Sequence, residues 1–200
     1  MRTLTIVALL AAGAASLMAQ APQGAPPGGG RGRGPQTPPL IMTTTAFEDG
    51  GVIPDKYTQA AGAMAPSPAL SWSQVPMGTQ SFAIIMHDPE PVLNKGSKMD
   101  ITHWVIWNIP GTSTGLAEGV AAGELPDGSR QVSLRSNSYM GPGAPPGPYH
   151  HYTFELYALD IKLDVPQGTP QDAANTRTAI VNAMDGHVLG KAILVGRFHR

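Results

Sequence analysis

The chain has 200 residues, of which 42% are hydrophobic and 14% charged, and 13 basic against 14 acidic side chains give a net charge of −1. This length fits one domain with its own core, and the balanced charge gives no electrostatic reason to expect nucleic acid or an anionic membrane as partner. Because the chain has no cysteine, a disulfide framework, a thiol nucleophile, a cysteine-ligated metal and a cysteine-linked lipid anchor are excluded.

Residues 1–19 are predicted to be a secretory signal peptide. Arg2 supplies a positive start, residues 4–17 are largely apolar, and Ala19 is a small residue at the cleavage point. An uncleaved anchor is the alternative, because Leu17 is a poor residue three positions before the cut. We therefore expect a periplasmic or secreted protein without a stable membrane span.

A low-complexity segment follows the signal. Residues 20–39 contain six glycines, six prolines and no aliphatic side chain larger than alanine. Such a segment cannot bury enough apolar surface to offset its ordering entropy, so we expect a disordered tether. Residues 40–200 are then predicted to form the folded domain.

The domain is predicted to be mostly β, because its apolar runs are short, aromatic or β-branched, and bounded by turn residues. The predicted strands are residues 81–87, 103–109, 152–159 and 191–198. A single helix is predicted after Thr169, a plausible N-cap, with Pro170 in the first turn and Gly186 as the stop. Its apolar residues at helical spacing are Ala173, Ile180 and Met184.

Three titratable residues lie at the ends of these predicted strands: Asp88, His103 and His150. Side chains alternate along a strand, and each of the three has the parity of apolar neighbours. Those neighbours are Phe82, Ile84 and Met86 for Asp88; Val105 and Trp107 for His103; and Tyr152, Phe154 and Leu156 for His150. The parity predicts one shared apolar layer with the trio at its rim. Each residue alone is better interpreted as a turn aspartate or as a satisfied, partly buried histidine.

Several motifs occur in order along the domain. They are FEDGGVIP at 47–54, APSPALSW at 65–72, HDPE at 87–90, HWVIWNIP at 103–110, GPGAPPG at 141–147 and HHY at 150–152. Together they resemble the phosphatidylethanolamine-binding protein family, specifically its bacterial Raf-kinase-inhibitor-like branch. The resemblance covers about residues 40–199 and depends on the whole ordered set, since any one motif alone would be weak.

The resemblance implies a large antiparallel sheet packed with a smaller sheet, a helix near the C-terminus, and a pocket for phosphate-type anions or phosphoryl head groups. It assigns ligand-binding roles to a set of residues: Asp88, Glu90, His103, Pro142, Pro145, Pro146, His150 and Tyr152. It implies no cofactor, no metal and no catalysis. The expected partner is a small anion such as phosphate, a phosphoryl head group or an acetate-like anion, bound by a monomer or homodimer.

The sequence departs from the family pattern at three places. Glu90 and Val92 replace the usual residues after Asp88, so the wall proline is shifted or lost. His151 replaces a usual arginine, which predicts a weaker supporting salt bridge. Ile101 and Thr102 stand where bulky aromatics are common, which predicts a wider pocket mouth.

The expected mechanism is anion binding by a protonated imidazole of His103 or His150, with Asp88 orienting one ring and favouring its charged form. Affinity should then rise as pH falls through the range in which histidine titrates.

Two alternatives stay open at this point. One is an interaction module that inhibits a protease or another extracellular partner. The other is a metal-dependent hydrolase or oxygenase using Asp88, His103 and His150 as ligands, although no known metal-ligand motif or Gly-x-Ser-x-Gly elbow occurs.

Overall fold

A computed structural model describes residues 38–62, 64–91 and 100–200. The predicted signal peptide, most of the predicted tether and Val92 lie outside these ranges. Within them, no helix combines the length and the apolar character needed to cross a bilayer.

The described ranges contain nine strands and one α-helix. The strands are β1 (Ile41–Thr43), β2 (Gly51–Val52), β3 (Leu70–Ser73), β4 (Ser81–Asp88), β5 (Ile101–Pro110), β6 (Gly115–Leu116), β7 (Arg130–Val132), β8 (His150–Leu159) and β9 (Val188–Phe198). The helix is α1 (Ala173–Ala183). The prediction of a mostly β fold with one helix near the C-terminus is confirmed.

The strands form two sheets. Six strands pair in the order β2-β9-β8-β4-β5-β7, and three pair in the order β1-β3-β6. All pairs are antiparallel except β2 with β9, which run parallel. The expected large and small sheets are therefore both present.

The large sheet is covered on both faces, which explains why β4 is an almost unbroken apolar run. On one face, side chains of β4, β5 and β8 pack with those of the small sheet, such as Met42, Leu70 and Trp72. On the other face, Ile180 and Met184 pack against residues of β4 and β5. We call these the pocket face and the helix face, because the candidate site opens on the first.

The helix begins later than the sequence predicts. Pro170–Asp172 form a 3₁₀ turn, and α1 starts only at Ala173. Thr169 does precede this turn, but its side chain makes no capping hydrogen bond. Gly186 lies in the turn after the helix with φ of 78°, a value that glycine adopts at little cost.

Strand β5 carries two irregularities in its pairing with β4. One lies between the pairs Met86–Trp104 and His87–Thr102, so that His103 is an extra residue, a β-bulge. The other includes Asn108, whose φ is 59° and whose side chain exchanges two hydrogen bonds with the backbone of Leu163. The first bulge determines which residues of β5 reach the candidate site.

Candidate functional site

A cavity of about 510 Å³ opens on the pocket face, where β4 ends and β5 and β8 begin. This volume is within the range of small-molecule sites. Its lining residues are Gln59, Asp88, Pro91, Ile101, His103, Leu134, Arg135, Met140, Gly143, Ala144, Pro145, His150 and Tyr152. The three predicted residues Asp88, His103 and His150 thus line a single cavity.

Asp88 and His150 form a hydrogen-bonded pair in this cavity. His150 Nδ1 lies 2.8 Å from Asp88 Oδ2, and the Asp88 side chain is 3% exposed against 19% for His150. The other carboxylate oxygen of Asp88 accepts the backbone N–H of Glu90 at 3.1 Å. Burial raises the pKa of the Asp88 carboxyl above its usual value, although the hydrogen bond from His150 opposes this shift. The pair thus places a buried acid behind a partly exposed imidazole.

His103 reaches the same cavity, but not for the reason that its sequence parity suggests. Val105 and Trp107, which share its parity, lie on the helix face. The expectation of a shared face is wrong because the bulge at His103 breaks the alternation, so that Thr102 contacts Arg177 of α1 while His103 lines the pocket.

The buried ring of His103 is neutral near neutral pH. Its Nδ1–H donates to the backbone oxygen of Met140 at 2.9 Å, and the ring packs edge-on against Tyr152 with centroids 5.0 Å apart. Burial lowers the pKa of His103 to about 4, even though the Met140 and Gly141 carbonyls oppose the shift. His103 is therefore a poor source of positive charge for an anion near neutral pH.

Tyr152 holds the loop between β7 and β8 against the pocket. Its hydroxyl oxygen accepts the backbone N–H groups of Gly143, at 3.2 Å, and Ala144, at 3.1 Å. Just before them, a β-carbon on Gly141 would lie 2.6 Å from the backbone oxygen of Tyr57, so only glycine fits there. These contacts place Pro145 in the cavity wall.

The other predicted wall residues lie elsewhere. Pro142 is buried and its backbone oxygen accepts the N–H of Gln59, and Pro146 is exposed outside the cavity. Pro145 is thus the proline of this loop that lines the site, and the expected wall roles of Pro142 and Pro146 are not supported.

Glu90 also lies outside the cavity lining and pairs with His151. Its carboxylate accepts the backbone N–H of His151 at 2.9 Å and contacts the Nδ1 of the same residue at 2.6 Å. Burial would raise the pKa of Glu90, but the hydrogen bonds from His151 outweigh it, so the pKa is lowered. Two of the departures from the family pattern therefore contact each other, and the arginine expected at position 151 is replaced by a histidine that keeps an acidic partner.

A set of three residues has the composition of a metal site. Ligand atoms of Asp88, Glu90 and His150 all lie within 4.8 Å of one another, and this is the one such group in the described ranges. His103, a ligand in the metal-dependent alternative, does not belong to it. The geometry therefore does not support that alternative's ligand set.

Sequence reasoning missed several lining residues. Gln59 comes from a 3₁₀ turn, and Leu134 and Arg135 come from the loop after β7, where no periodic pattern marks a residue as facing a site. Ile101, one of the departures from the family pattern, lies in the cavity wall. Cavity residues contributed by irregular loops leave no recognisable spacing in a single sequence.

Comparisons with known proteins identify the family of this chain. The sequence model of the phosphatidylethanolamine-binding protein family matches residues 43–199. A UPF0098 protein of Methanothermobacter thermautotrophicus is 45% identical over 164 residues, 80% of this chain and 99% of the relative. The UPF0098 protein YbhB of Escherichia coli is 36% identical over 107 residues, 51% of this chain and 65% of the relative.

A solved structure is also similar. The crystal structure of a phosphatidylethanolamine-binding protein homologue from Chlamydia trachomatis superposes with a TM-score of 0.68 at 30% identity, covering 81% of this chain and 98% of that one. The chain belongs to the phosphatidylethanolamine-binding protein family. Within the family it groups with the UPF0098 relatives, which include YbhB.

Proposed function

We propose that this protein binds a small phosphate-type anion or phosphoryl head group in the cavity of Asp88, His103 and His150, without chemical turnover. The observation that carries the proposal is the Asp88–His150 pair, a buried carboxylate hydrogen-bonded to an imidazole that lines a cavity of about 510 Å³. Family membership supports a small-ligand role, since the family is named for binding phosphatidylethanolamine.

The chemistry of the pair favours an anion when the imidazole is charged. With Nδ1 engaged by Asp88, the Nε2 of His150 has no hydrogen-bond partner among the described residues. In the imidazolium form Nε2–H donates a charge-assisted hydrogen bond to an anion oxygen, and Asp88 stabilises that form. Anion binding is then linked to proton uptake, so affinity rises as pH falls.

The described lining of this cavity contains no serine or threonine that could act as a hydroxyl nucleophile. Export to the periplasm or the medium belongs to the proposal on the strength of residues 1–19 alone. N-terminal sequencing of the protein recovered from periplasmic extract checks that part. A start near residue 20 is expected, and recovery only of the full-length chain in the cytosolic fraction would contradict it.

Calorimetric titration with inorganic phosphate between about pH 5.5 and about pH 8 tests the binding function. The affinity of the unaltered protein should increase towards the lower pH, and His150→Gln should lose most of this increase. The matched control is His187→Gln, because His187 Nδ1 also lies 2.8 Å from a carboxylate, that of Asp160, outside the pocket. Phosphate that does not bind, or an affinity that is flat with pH, would overturn the proposal.

A further inference from the structure

The positive charge available to an anion in this pocket depends on few groups. His103 is neutral near neutral pH because of its burial, Asp88 contributes a carboxyl group, and His150 is positive only when protonated. Among the described lining residues, Arg135 is the only arginine or lysine. Its charge is near enough to His103 to oppose protonation of that ring.

The backbone beside Arg135 is held in a tight turn directly after β7. Ser133 N–H donates to the backbone oxygen of Ser136 at 2.7 Å, and Ser133 Oγ accepts the N–H groups of Ser136, at 3.2 Å, and of Arg135, at 3.4 Å. Ser133 is buried, whereas Arg135 is exposed. The turn therefore fixes the backbone position of Arg135, while its exposed guanidinium is accessible to a ligand.

Arg135 has no acidic partner in the part of the chain that the structure describes. Arg130 pairs with Glu124 and Arg177 with Asp100, but no carboxylate of the described residues lies within 4.0 Å of the Arg135 guanidinium. A guanidinium at a cavity mouth without a carboxylate is available for an anion, and its planar fork matches two phosphate oxygens.

Most of the remaining lining residues are apolar, and the cavity is much larger than an inorganic anion requires. Beside Arg135, the side chain of Leu134 is 40% exposed at the pocket rim. Other apolar lining residues are Pro91, Ile101, Met140, Ala144 and Pro145. This composition is typical of a site for an organic ligand whose polar group is fixed by a few charged or polar side chains.

We propose that Arg135 is a ligand-binding residue that contacts the anionic group of an organic phosphate monoester, whose apolar substituent packs against Leu134. This inference rests on the proposed anion-binding function and deepens it. His150 then supplies the part of the affinity that changes with pH, and Arg135 supplies the part that persists when the histidines are neutral.

Calorimetric titration with phenyl phosphate at about pH 8, where unperturbed histidine is neutral, tests this role. Arg135→Gln should weaken binding about tenfold or more, since a hydrogen bond to a charged group contributes about 1.5–3 kcal/mol and 1.4 kcal/mol is a factor of ten. Arg135→Lys should bind with intermediate affinity, because it keeps the charge and loses the fork. The matched control is Lys162→Gln, which removes one exposed positive charge beyond the opposite end of β8.

The same titration with inorganic phosphate reports on the apolar wall. Leu134→Ser should weaken phenyl phosphate binding severalfold and leave inorganic phosphate unchanged, because only the phenyl ring loses a contact. Circular dichroism should show that these surface variants stay folded.

Equal affinity of Arg135→Gln and the unaltered protein for phenyl phosphate would overturn the role of Arg135 while leaving the proposed function intact. An equal loss in Lys162→Gln would also overturn it, because the effect would then come from net charge. If the unaltered protein binds neither probe at about pH 5.5 or about pH 8, the proposed function itself fails.

Discussion

The imidazole of His150 and the carboxylate of Asp88 are separated by 62 residues in the chain and joined by one hydrogen bond of 2.8 Å. They meet because β4 ends at Asp88 where its antiparallel neighbour β8 begins at His150. The acid is almost wholly buried and the base is partly exposed, so a ligand that enters the cavity meets the imidazole in front of the carboxylate.

Replacing this acid should change the pH dependence of anion binding. In Asp88→Asn the amide oxygen still accepts the Nδ1–H of His150, but it no longer stabilises the imidazolium. We expect phosphate affinity at about pH 6 to fall about tenfold, in keeping with the value of a charge-assisted hydrogen bond. Calorimetry measures this loss. The control is Asp160→Asn, because Asp160 and His187 form a similar but exposed pair. Unchanged affinity in Asp88→Asn would show that the buried acid plays no part in binding.

The burial of His103 predicts a loss of stability on acidification. Its pKa is about 4 in the native protein against 6.5 for an unperturbed histidine, so the unfolded chain binds more protons between these values. The free energy of unfolding should therefore fall as pH drops from about 6.5 to about 4, by about 3 kcal/mol from this residue, and the loss should level off below about pH 4.

Urea denaturation of His103→Asn at about pH 7 and about pH 4 isolates this contribution. The variant is expected to be less stable than the unaltered protein at the higher pH, with the difference shrinking at the lower one. His187→Asn, which alters an exposed histidine, should show no such convergence. If the free energies of unfolding of the unaltered protein and His103→Asn differ by the same amount at both pH values, this effect is contradicted.

The hydroxyl of Tyr152 should stabilise the loop that carries Pro145. In Tyr152→Phe the N–H groups of Gly143 and Ala144 lose their acceptor, which costs about 1–3 kcal/mol when such groups stay buried. We expect a lower free energy of unfolding and weaker phosphate binding. Tyr149→Phe is the control, because this neighbouring tyrosine is 39% exposed. Equal stability of both variants and the unaltered protein would show that the two hydrogen bonds contribute nothing.

Metal removal distinguishes direct anion binding from binding through a cation. The ligand atoms of Asp88, Glu90 and His150 are close enough to hold a divalent ion, which could itself attract phosphate. We expect phosphate affinity to be the same before and after dialysis against EDTA, since the imidazolium of His150 contacts the anion directly. Affinity lost with EDTA and restored by added zinc would show that the anion is bound through a metal.

Much of the site could be predicted from alternation along β4 and β8. Both strands keep an uninterrupted register with each other, so residues two apart share a face and Asp88 and His150 fall at one rim. Strand β5 has no such regularity, and nothing in the run HWVIWNI marks its first residue as extra. Alternation along β5 therefore does not explain why His103 lines the same cavity as Asp88 and His150.

The loops were the least predictable part. The composition of 141–148 indicates a rigid wall, yet only Pro145 among the three proposed prolines lines the cavity. The direction in which a proline points depends on the hydrogen bonds that fix the loop, here those of Tyr152 and Gln59, and these come from distant parts of the chain. The same holds for Arg135, whose position follows from the turn at Ser133.

The extra residue in β5 has a consequence for how this pocket can change during evolution. The side chain of Thr102 lies on the helix face and that of Trp104 on the pocket face. A deletion of residue 103 would therefore restore regular alternation along β5 and leave both neighbours on their present faces. The domain could then keep both cores and lose one histidine of its binding site in a single step. Relatives that differ in length at this position should therefore differ in ligand while sharing the fold, and strand length would be as informative as residue identity for sorting them.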